Sequence, residues 1–494
     1  MSTKYTCLTL FSGLGGGALG FKEAGFELVG GFDSWDEAIE DYEMLTDSPG
    51  HVADLTTMEP HELRARVGER RPDVVFTSPP CKAFSGCLPA SKSKTEKYVN
   101  LSSLSERGVW LVLEAWDQPP PIILLENVPR IQTRGREWLD GVCALLRAYG
   151  YAVTESTHDC GELGALAQSR RRFLLIARHI EQVPEFVYEP PKHELRGCGE
   201  VLDLLPVPCA SVEDQPGGAM HTLGRLSALN WLRLALIPPG GDWRDLPPEV
   251  AVRQRKGRHN GGFGVERWNS PAHSVVGHAD VANTRSSIAD PRLGCSPRAS
   301  VYGVTGWRDT SGTVIGSACH DNGRFSIADP RVTCERREGS EGVTGWSSTS
   351  TTVIANGTHF NGPWQVADPR ARYYTHALLE GGPCIRCLGQ SLDLESKTPR
   401  SLVIRAIDGT WHRPMTTLEL AALQGLPVFQ NGRWLELAGA SKQRWRQKIG
   451  NAVPPPTAQA IAETIARSLD ASKKGIFLLG GQPVWVDGEQ QHSA

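Results

Sequence analysis

No stretch of the 494 residues approaches the roughly 20 consecutive apolar positions of a membrane-spanning helix. The amino terminus, Met1-Ser2-Thr3-Lys4-Tyr5, also lacks a charged segment leading into a long apolar core. The expectation is a protein that stays in a cytosol-like compartment. Strong charge of either sign is missing too: the net charge is only -3, which argues against a chain that coats nucleic acid without specificity. Local clusters can still contact phosphate, and Arg253-Arg255-Lys256-Arg258 and Lys442-Arg444-Arg446-Lys448 are two candidates, or else two solvated faces. The 12 cysteines form no disulfide framework, so reduced thiols are expected. Cys384-Ile385-Arg386-Cys387 lacks the second ligand pair a zinc site needs, and no metal is expected.

What is present is an alternation of strands and helices. Strands are expected over Thr6 to Phe11, Glu27 to Phe32, Asp73 to Thr77, Ile122 to Leu125 and Phe173 to Ala177. Helices are expected from Gly17 to Ala24, Asp36 to Leu45, Leu104 to Trp116 and Trp138 to Tyr149. Such alternation implies a parallel, helix-covered sheet, a Rossmann-like α/β fold. At this length two lobes are expected rather than one core. A first lobe over 1–185 and a smaller, mainly β lobe over 186–440 follow from the change in composition, and a segment over 441–494, which carries the closing motif named below, is expected to return to the first, catalytic lobe. Prolines punctuate the chain from about Pro184 onward.

The second lobe contains an internal repeat. Ile288-Ala289-Asp290-Pro291-Arg292 returns as Ile327-Ala328-Asp329-Pro330-Arg331 and as Val366-Ala367-Asp368-Pro369-Arg370, each 39 residues on. Trp268, Trp307 and Trp346 keep the same register, as do Val275, Val314 and Val353, and Asn283, Asn322 and Asn361. The units, about 264–292, 303–331 and 342–370, read as three small β modules that pack on one another. Each Asp-Pro-Arg is read as a turn whose Arg pairs with its own Asp, with presentation of Arg, Asn and Trp to DNA as the competing reading.

Two polar groups follow apolar strands: Ser78-Pro79-Pro80-Cys81 after Asp73 to Thr77, and Glu126-Asn127-Val128 after Ile122 to Leu125. Open α/β sheets build their sites at such carboxyl ends. A thiolate adds reversibly to an electron-poor ring carbon, while a carboxylic acid stabilises charge developing on ring heteroatoms. That pairing suits attack at C6 of a pyrimidine. Gly13, Gly15 and Ala18 match Gly-x-Gly-x-x-Gly/Ala, and Asp33 stands where a ribose-binding acid would. Alone, this loop does not separate NAD from S-adenosylmethionine. The thiol and acid favour a methyl donor.

These motifs resemble those of the DNA cytosine-5 methyltransferase family. Phe11-Ser12-Gly13-Leu14-Gly15-Gly16 looks like its methyl-donor loop, Pro79-Pro80-Cys81 its nucleophile and Glu126-Asn127-Val128 its cytosine clamp. Gln168-Ser169-Arg170-Arg171-Arg172 resembles its Gln-x-Arg-x-Arg motif. Arg413 to Pro427 resembles its small-lobe organiser, and Gly450-Asn451-Ala452-Val453-Pro454-Pro455 its closing motif. The resemblance implies S-adenosyl-L-methionine as donor, held by Phe11, Ser12, Gly13, Leu14, Gly16, Asp33, Ser34, Asp54, Pro80, Asn451, Ala452 and Val453. It implies Cys81 as nucleophile and Glu126 as the acid on the base. Asn127 would hold the loop, and Arg170 and Arg172 would contact the flipped base or its phosphate, or else pair with surface acids. The partner implied is double-stranded DNA, met by a monomer in the cytoplasm of a bacterial or phage-infected cell.

Two departures stand out. Asp33 replaces the family's usual Glu and is followed by Ser34 and Trp35, so Trp35 is a candidate stacking surface. Lys82-Ala83 follows Cys81 where Gln-Gly is common. The alternatives are an RNA cytosine-5 methyltransferase and a catalytically silent, repeat-containing DNA-binding protein.

Overall fold

Cys7 to Leu10, Val74 to Phe76 and Ile122 to Leu125 are almost wholly buried, as strands covered on both faces must be. A computed structural model describes residues 5–80, 96–186, 188, 190–208, 216–239, 243–246, 264–277, 286–293 and 411–473, and the short segments 304–306, 326–328, 343–345, 365–367 and 404–405. The buried runs form the middle of a seven-stranded sheet ordered β3-β2-β1-β4-β5-β7-β6. The strands are β1 (Thr6–Leu10), β2 (Glu27–Asp33), β3 (Gly50–Val52), β4 (Val74–Thr77), β5 (Ile122–Asn127), β6 (Tyr151–Asp159) and β7 (Arg171–His179).

β1 to β5 are parallel, but β7 runs antiparallel to both β5 and β6. The fully parallel sheet expected from the alternation is therefore corrected at this edge. Between β6 and β7 lie only Cys160 to Arg170, including the short helix α6 (Cys160–Gly164). A parallel crossover takes a dozen residues or more, so the shorter connection returns the chain antiparallel.

Alternation along the strands fills two cores. Leu8, Leu10, Val75, Ile123 and Leu125 pack with Leu63 of α3 (Pro60–Val67), Val109 and Val112 of α4 (Glu96–Glu114) and Val142 and Leu146 of α5 (Arg136–Ala148). Cys7, Val74, Phe76, Ile122 and Leu124 pack on the other face with Phe21 of α1 (Gly16–Glu23) and Ile461 and Ile465 of α10 (Pro455–Lys473). Each such side chain contributes about 1.5–3 kcal/mol on burial. The far end of the chain thus completes the first lobe. Glycine makes this contact close: a Cβ on Gly16 would lie 2.4 Å from the Val453 carbonyl oxygen, and one on Gly20 2.3 Å from that of Pro455.

A third core joins Cys198 and Leu202 of α7 (Cys198–Leu202), Val275, Ile288, and Leu418 and Leu423 of α8 (Thr417–Leu423) to Trp445 and Ile449 of α9 (Lys442–Asn451). Thr416 caps α8, with Glu419 completing the capping box. Glu419 also takes both Arg413 guanidinium nitrogens, at 2.8 and 2.7 Å, in a pair with no exposed side-chain surface. Burial alone would raise the Glu419 carboxyl, yet Arg413 and the Thr416 N–H hold it below its ordinary value.

The chain divides into two compact units, residues 1–289 with 393–402 and 413–494, and residues 290–392 with 403–412. The division falls inside the first repeat. Repeat geometry recurs: β8 (Val265–Glu266) with β9 (Ser287–Ala289), β10 (Val304–Gly306) with β11 (Ser326–Ala328), and β12 (Val343–Gly345) with β13 (Gln365–Ala367) are parallel pairs. Their first partners, Val265 with Ser287, Val304 with Ser326 and Val343 with Gln365, share one register. In the first copy, Arg292 folds back on the buried Asp290 through Nε at 3.1 Å and Nη2 at 3.0 Å, the self-paired turn. Among the described residues no helix is long and apolar enough to cross a membrane.

Candidate active site

Where β1 ends, Phe11, Gly13 and Gly15 all take positive φ, at 50°, 52° and 89°, and α1 begins directly after Gly15. The strained turn is pinned from outside. Ser78 Oγ donates to the Phe11 carbonyl at 3.2 Å and the Ser12 N–H donates to that of Phe32 at 3.0 Å. Asp33, ending β2, accepts the Gly13 N–H at 2.9 Å through one oxygen and the Trp35 N–H at 3.0 Å through the other. Burial raises the Asp33 carboxyl above its ordinary value, although the Gly13, Trp35 and Ser34 N–H groups pull the other way. Each carboxylate oxygen retains a lone pair for a further donor.

Above this turn lies a cavity of about 480 Å³, within the range of small-molecule sites. Phe11, Gly13, Leu14, Asp33, Ser34, Trp35, Asp54, Pro80 and Asn451 line it. A small adjoining space is lined by Ser12, Ala452 and Val453. Gly16 lines neither; its missing side chain makes room for Val453 instead. Asp54 accepts the Thr56 hydroxyl at 2.6 Å and N–H at 2.9 Å, which lower its pKa. A dry acid able to take a diol, an indole face and a second, solvated acid together fit a nucleoside-containing ligand.

At the end of β5, Glu126 meets Arg172 Nε across 3.1 Å, with only 13% and 16% of the two side chains exposed. Burial raises the Glu126 carboxyl, while Arg172 and then Arg170 oppose the shift. Asn127 is buried: its Oδ1 accepts the Val128 N–H at 2.8 Å and its Nδ2 donates to the Pro79 carbonyl at 3.3 Å. It therefore ties the β4 and β5 strand ends together. Cys81, with Lys82, Ala83 and Cys87, lies outside the described residues, as do Arg253 to Arg258 and Cys384 to Cys387.

Arg170 departs from the expected contact with a base or phosphate. It is 2% exposed, and its guanidinium donates to the carbonyls of Val275 at 2.8 Å, Gly450 at 2.9 Å and Ala452 at 3.1 Å. Three carbonyls claim its donors, so it serves as an internal strut. Gln168 does similar work, donating to the Leu423 carbonyl and the Gln424 side chain and accepting the Val275 N–H.

Within the basic cluster on α9, Lys448 departs from both expected readings. Lys448 is buried in an ion pair with Asp41, and Arg444 pairs with Glu37, both acids standing on α2 (Asp36–Thr46). Lys448 and Gln447 also line the 480 Å³ cavity, a role not foreseen for them. The signal was available: Glu37 and Asp41 are four apart, as are Arg444 and Lys448, which matches one helix face to another. Among the described residues no group of three His, Cys, Asp or Glu is placed to hold a metal ion.

A family model described as C-5 cytosine-specific DNA methylase matches residues 5–206 and 321–467. The Type II methylase M.HgiDII of Herpetosiphon aurantiacus is 27% identical over 276 residues, 54% of this chain and 75% of that protein. The Type II methyltransferase M.HindV of Haemophilus influenzae is 30% identical over 176 residues, 35% of this chain and 52% of that protein. Among solved structures, a DNA modification methyltransferase encoded within an E. coli prophage shares the fold with a TM-score of 0.51 at 14% identity, covering 94% of this chain and 100% of that one.

Proposed function

The chain belongs to the C-5 cytosine-specific DNA methylase family, and from that premise we propose that it methylates C5 of a cytosine flipped out of double-stranded DNA, using S-adenosyl-L-methionine and a covalent bond from Cys81 to C6. The observation that carries this reading is the pairing of a nucleoside-sized cavity at the β1 and β2 ends with a buried acid at the β5 end of the same sheet. Asp33 would hold ribose hydroxyls, Trp35 would face the adenine, and Asp54 would accept from its amino group. Phe11, Gly13, Leu14 and Asn451 would enclose the remainder. When bound there, the donor supplies an electrophilic sulfonium methyl group.

The chain's own residues supply the rest. A cytosine inside a duplex exposes neither C5 nor C6 to attack, so it must leave the stack at a cost of a few kcal/mol. Cys81 forms the S–C6 bond as the C5–C6 double bond opens toward C5. Glu126, kept dry and raised, donates to N3 and stabilises the ring charge. Asn127 fixes the distance between the two strand ends, and Arg172 sets how readily Glu126 ionises. After transfer a base, water included, removes the C5 proton, C5–C6 unsaturation is restored, the Cys81 thiolate leaves and N3 returns its proton to Glu126. The Type II names of the similar proteins support a place beside a restriction activity of matching sequence.

Incubation with tritium-labelled donor and either duplex DNA or RNA tests the reading. Label should enter DNA and be lost in Cys81→Ser. Label in RNA alone, or full activity in Cys81→Ser, overturns it.

A further inference from the structure

The cavity at the β1 and β2 ends is walled from two distant parts of the chain. Asp33, Ser34 and Trp35 come from the turn that opens α2, where the Ala38 and Ile39 N–H groups donate to the Trp35 carbonyl at 3.0 and 3.1 Å. Gln447, Lys448 and Asn451 come from α9. One side chain joins these walls. The Lys448 ammonium has three N–H donors, and three acceptors surround it: the Asp41 carboxylate, the Glu37 carbonyl at 3.3 Å and the Ala438 carbonyl at 2.9 Å. Asp41 accepts the Ala438 N–H at 2.7 Å through its other oxygen. The Lys448 nitrogen also stands 6.0 Å from the centre of the Trp35 ring, at the limit of a cation–π contact.

Neither side chain of the Lys448 and Asp41 pair is more than 1% exposed. Taking both charges out of water offsets most of their attraction, and an apolar pair of similar volume often serves stability as well. The pair is therefore explained by geometry rather than by stability. Apolar surfaces can slide over one another, whereas an ammonium with three fixed acceptors sets one separation and one rotation of α9 against α2. Because its donors are all taken, what Lys448 offers a ligand in the cavity is its methylene stem. Arg444, one turn earlier on α9, makes a different kind of contact with Glu37, through a side chain that is 56% exposed. A pair so wet contributes little.

The far end of α9 is held from another side. Arg170 donates to the Gly450 and Ala452 carbonyls, on either side of Asn451. Those bonds fix where Asn451 stands, and Lys448 fixes where α2 stands relative to it. We propose that Lys448 is a positioning residue for the methyl donor: its grip on Asp41 and on the Glu37 carbonyl holds Asp33 and Trp35 at the separation from Asn451 that a bound nucleoside requires. The donor as occupant rests on the DNA methylation reading; the clamping of the cavity by Lys448 does not.

Lys448→Met alone strips a buried carboxylate of its partner and endangers the fold. The test is therefore the double variant Asp41→Asn with Lys448→Met in the full chain. There the new amide oxygen still accepts the Ala438 N–H, and Trp445 Nε1 still donates to the Ala438 carbonyl. This variant should unfold cooperatively within a few degrees of the wild type. Its calorimetric affinity for S-adenosyl-L-homocysteine should fall about tenfold or more, and the donor KM should rise in step while kcat at saturating donor stays within a factor of a few. Amide exchange over 33–42 in the ligand-free chain should quicken by about tenfold. Unchanged probe affinity in the folded variant overturns the proposal, as does a fall in kcat at constant KM, which would place Lys448 in the chemistry. A Tm lower by roughly 10 °C or more would mark the pair as structural and overturns it too. If the wild-type chain binds no S-adenosyl-L-homocysteine, the donor reading fails and the exchange comparison alone judges the clamp, which equal protection of 33–42 in both chains overturns.

Discussion

Asp33 and Glu126 both finish parallel strands of one sheet at the carboxyl end, and burial raises both carboxyls, yet they are held in different ways. Asp33 is held by backbone N–H groups, Glu126 by the side chain of Arg172. Backbone donors stay in place whatever the pH and favour a carboxylate that only accepts. The Arg172 guanidinium at 3.1 Å favours the carboxylate as well, so the Glu126 carboxyl stays raised only because burial outweighs that pull. On the proposed reading, one region binds and the other reacts.

The comparison breaks most readily at Glu126. Glu126→Gln keeps the shape but removes the proton donor, and kcat should fall by about 10²- to 10⁴-fold while the donor KM stays put. Steady-state kinetics with labelled donor check this; a loss of only a few-fold would mean that the β5 end is not the reacting end. Next comes Arg170, which supports that end without touching it. Arg170→Met strips donors from three buried carbonyls, and stability should drop by about 3 kcal/mol in denaturant unfolding. Unchanged stability with lost DNA affinity would return Arg170 to the DNA contact first expected of it.

Asp33→Asn should be milder, because an amide keeps one acceptor for the Gly13 or Trp35 N–H. The donor KM should rise about tenfold, near 1.4 kcal/mol, with kcat within a factor of a few. An equal fall in kcat would show that the β2 end takes part in chemistry and would erase the contrast.

The two regions also differ in how legible they were from the chain. The glycine turn and Asp33 sit within 23 residues of one another, so local spacing was enough to join them. Glu126 could be placed at a strand end from the apolar run before it. Arg170 could not be read this way, because its partners lie 105, 280 and 282 residues away and are main-chain carbonyls that carry no side-chain signature. Lys448 was misread for the same reason, since a lysine within a basic run looks solvated until Asp41 is brought against it. The antiparallel edge was missed because Tyr151–Asp159 is only half-buried beyond its first two residues and lacks the apolar run of the central strands.

The smallest effect tests the reacting end by pH. Arg172 opposes the burial that raises Glu126, so Arg172→Met should raise the Glu126 carboxyl further. If the protonated acid is the working form, activity is present below that pKa and lost as pH rises through it. The alkaline limb of kcat/KM should then move to higher pH in Arg172→Met and vanish in Glu126→Gln, whereas Asp33→Asn should leave it where it is. Movement to lower pH would mean that the carboxylate, not the acid, is the form that works, and that the β5 end accepts a proton where it was expected to give one.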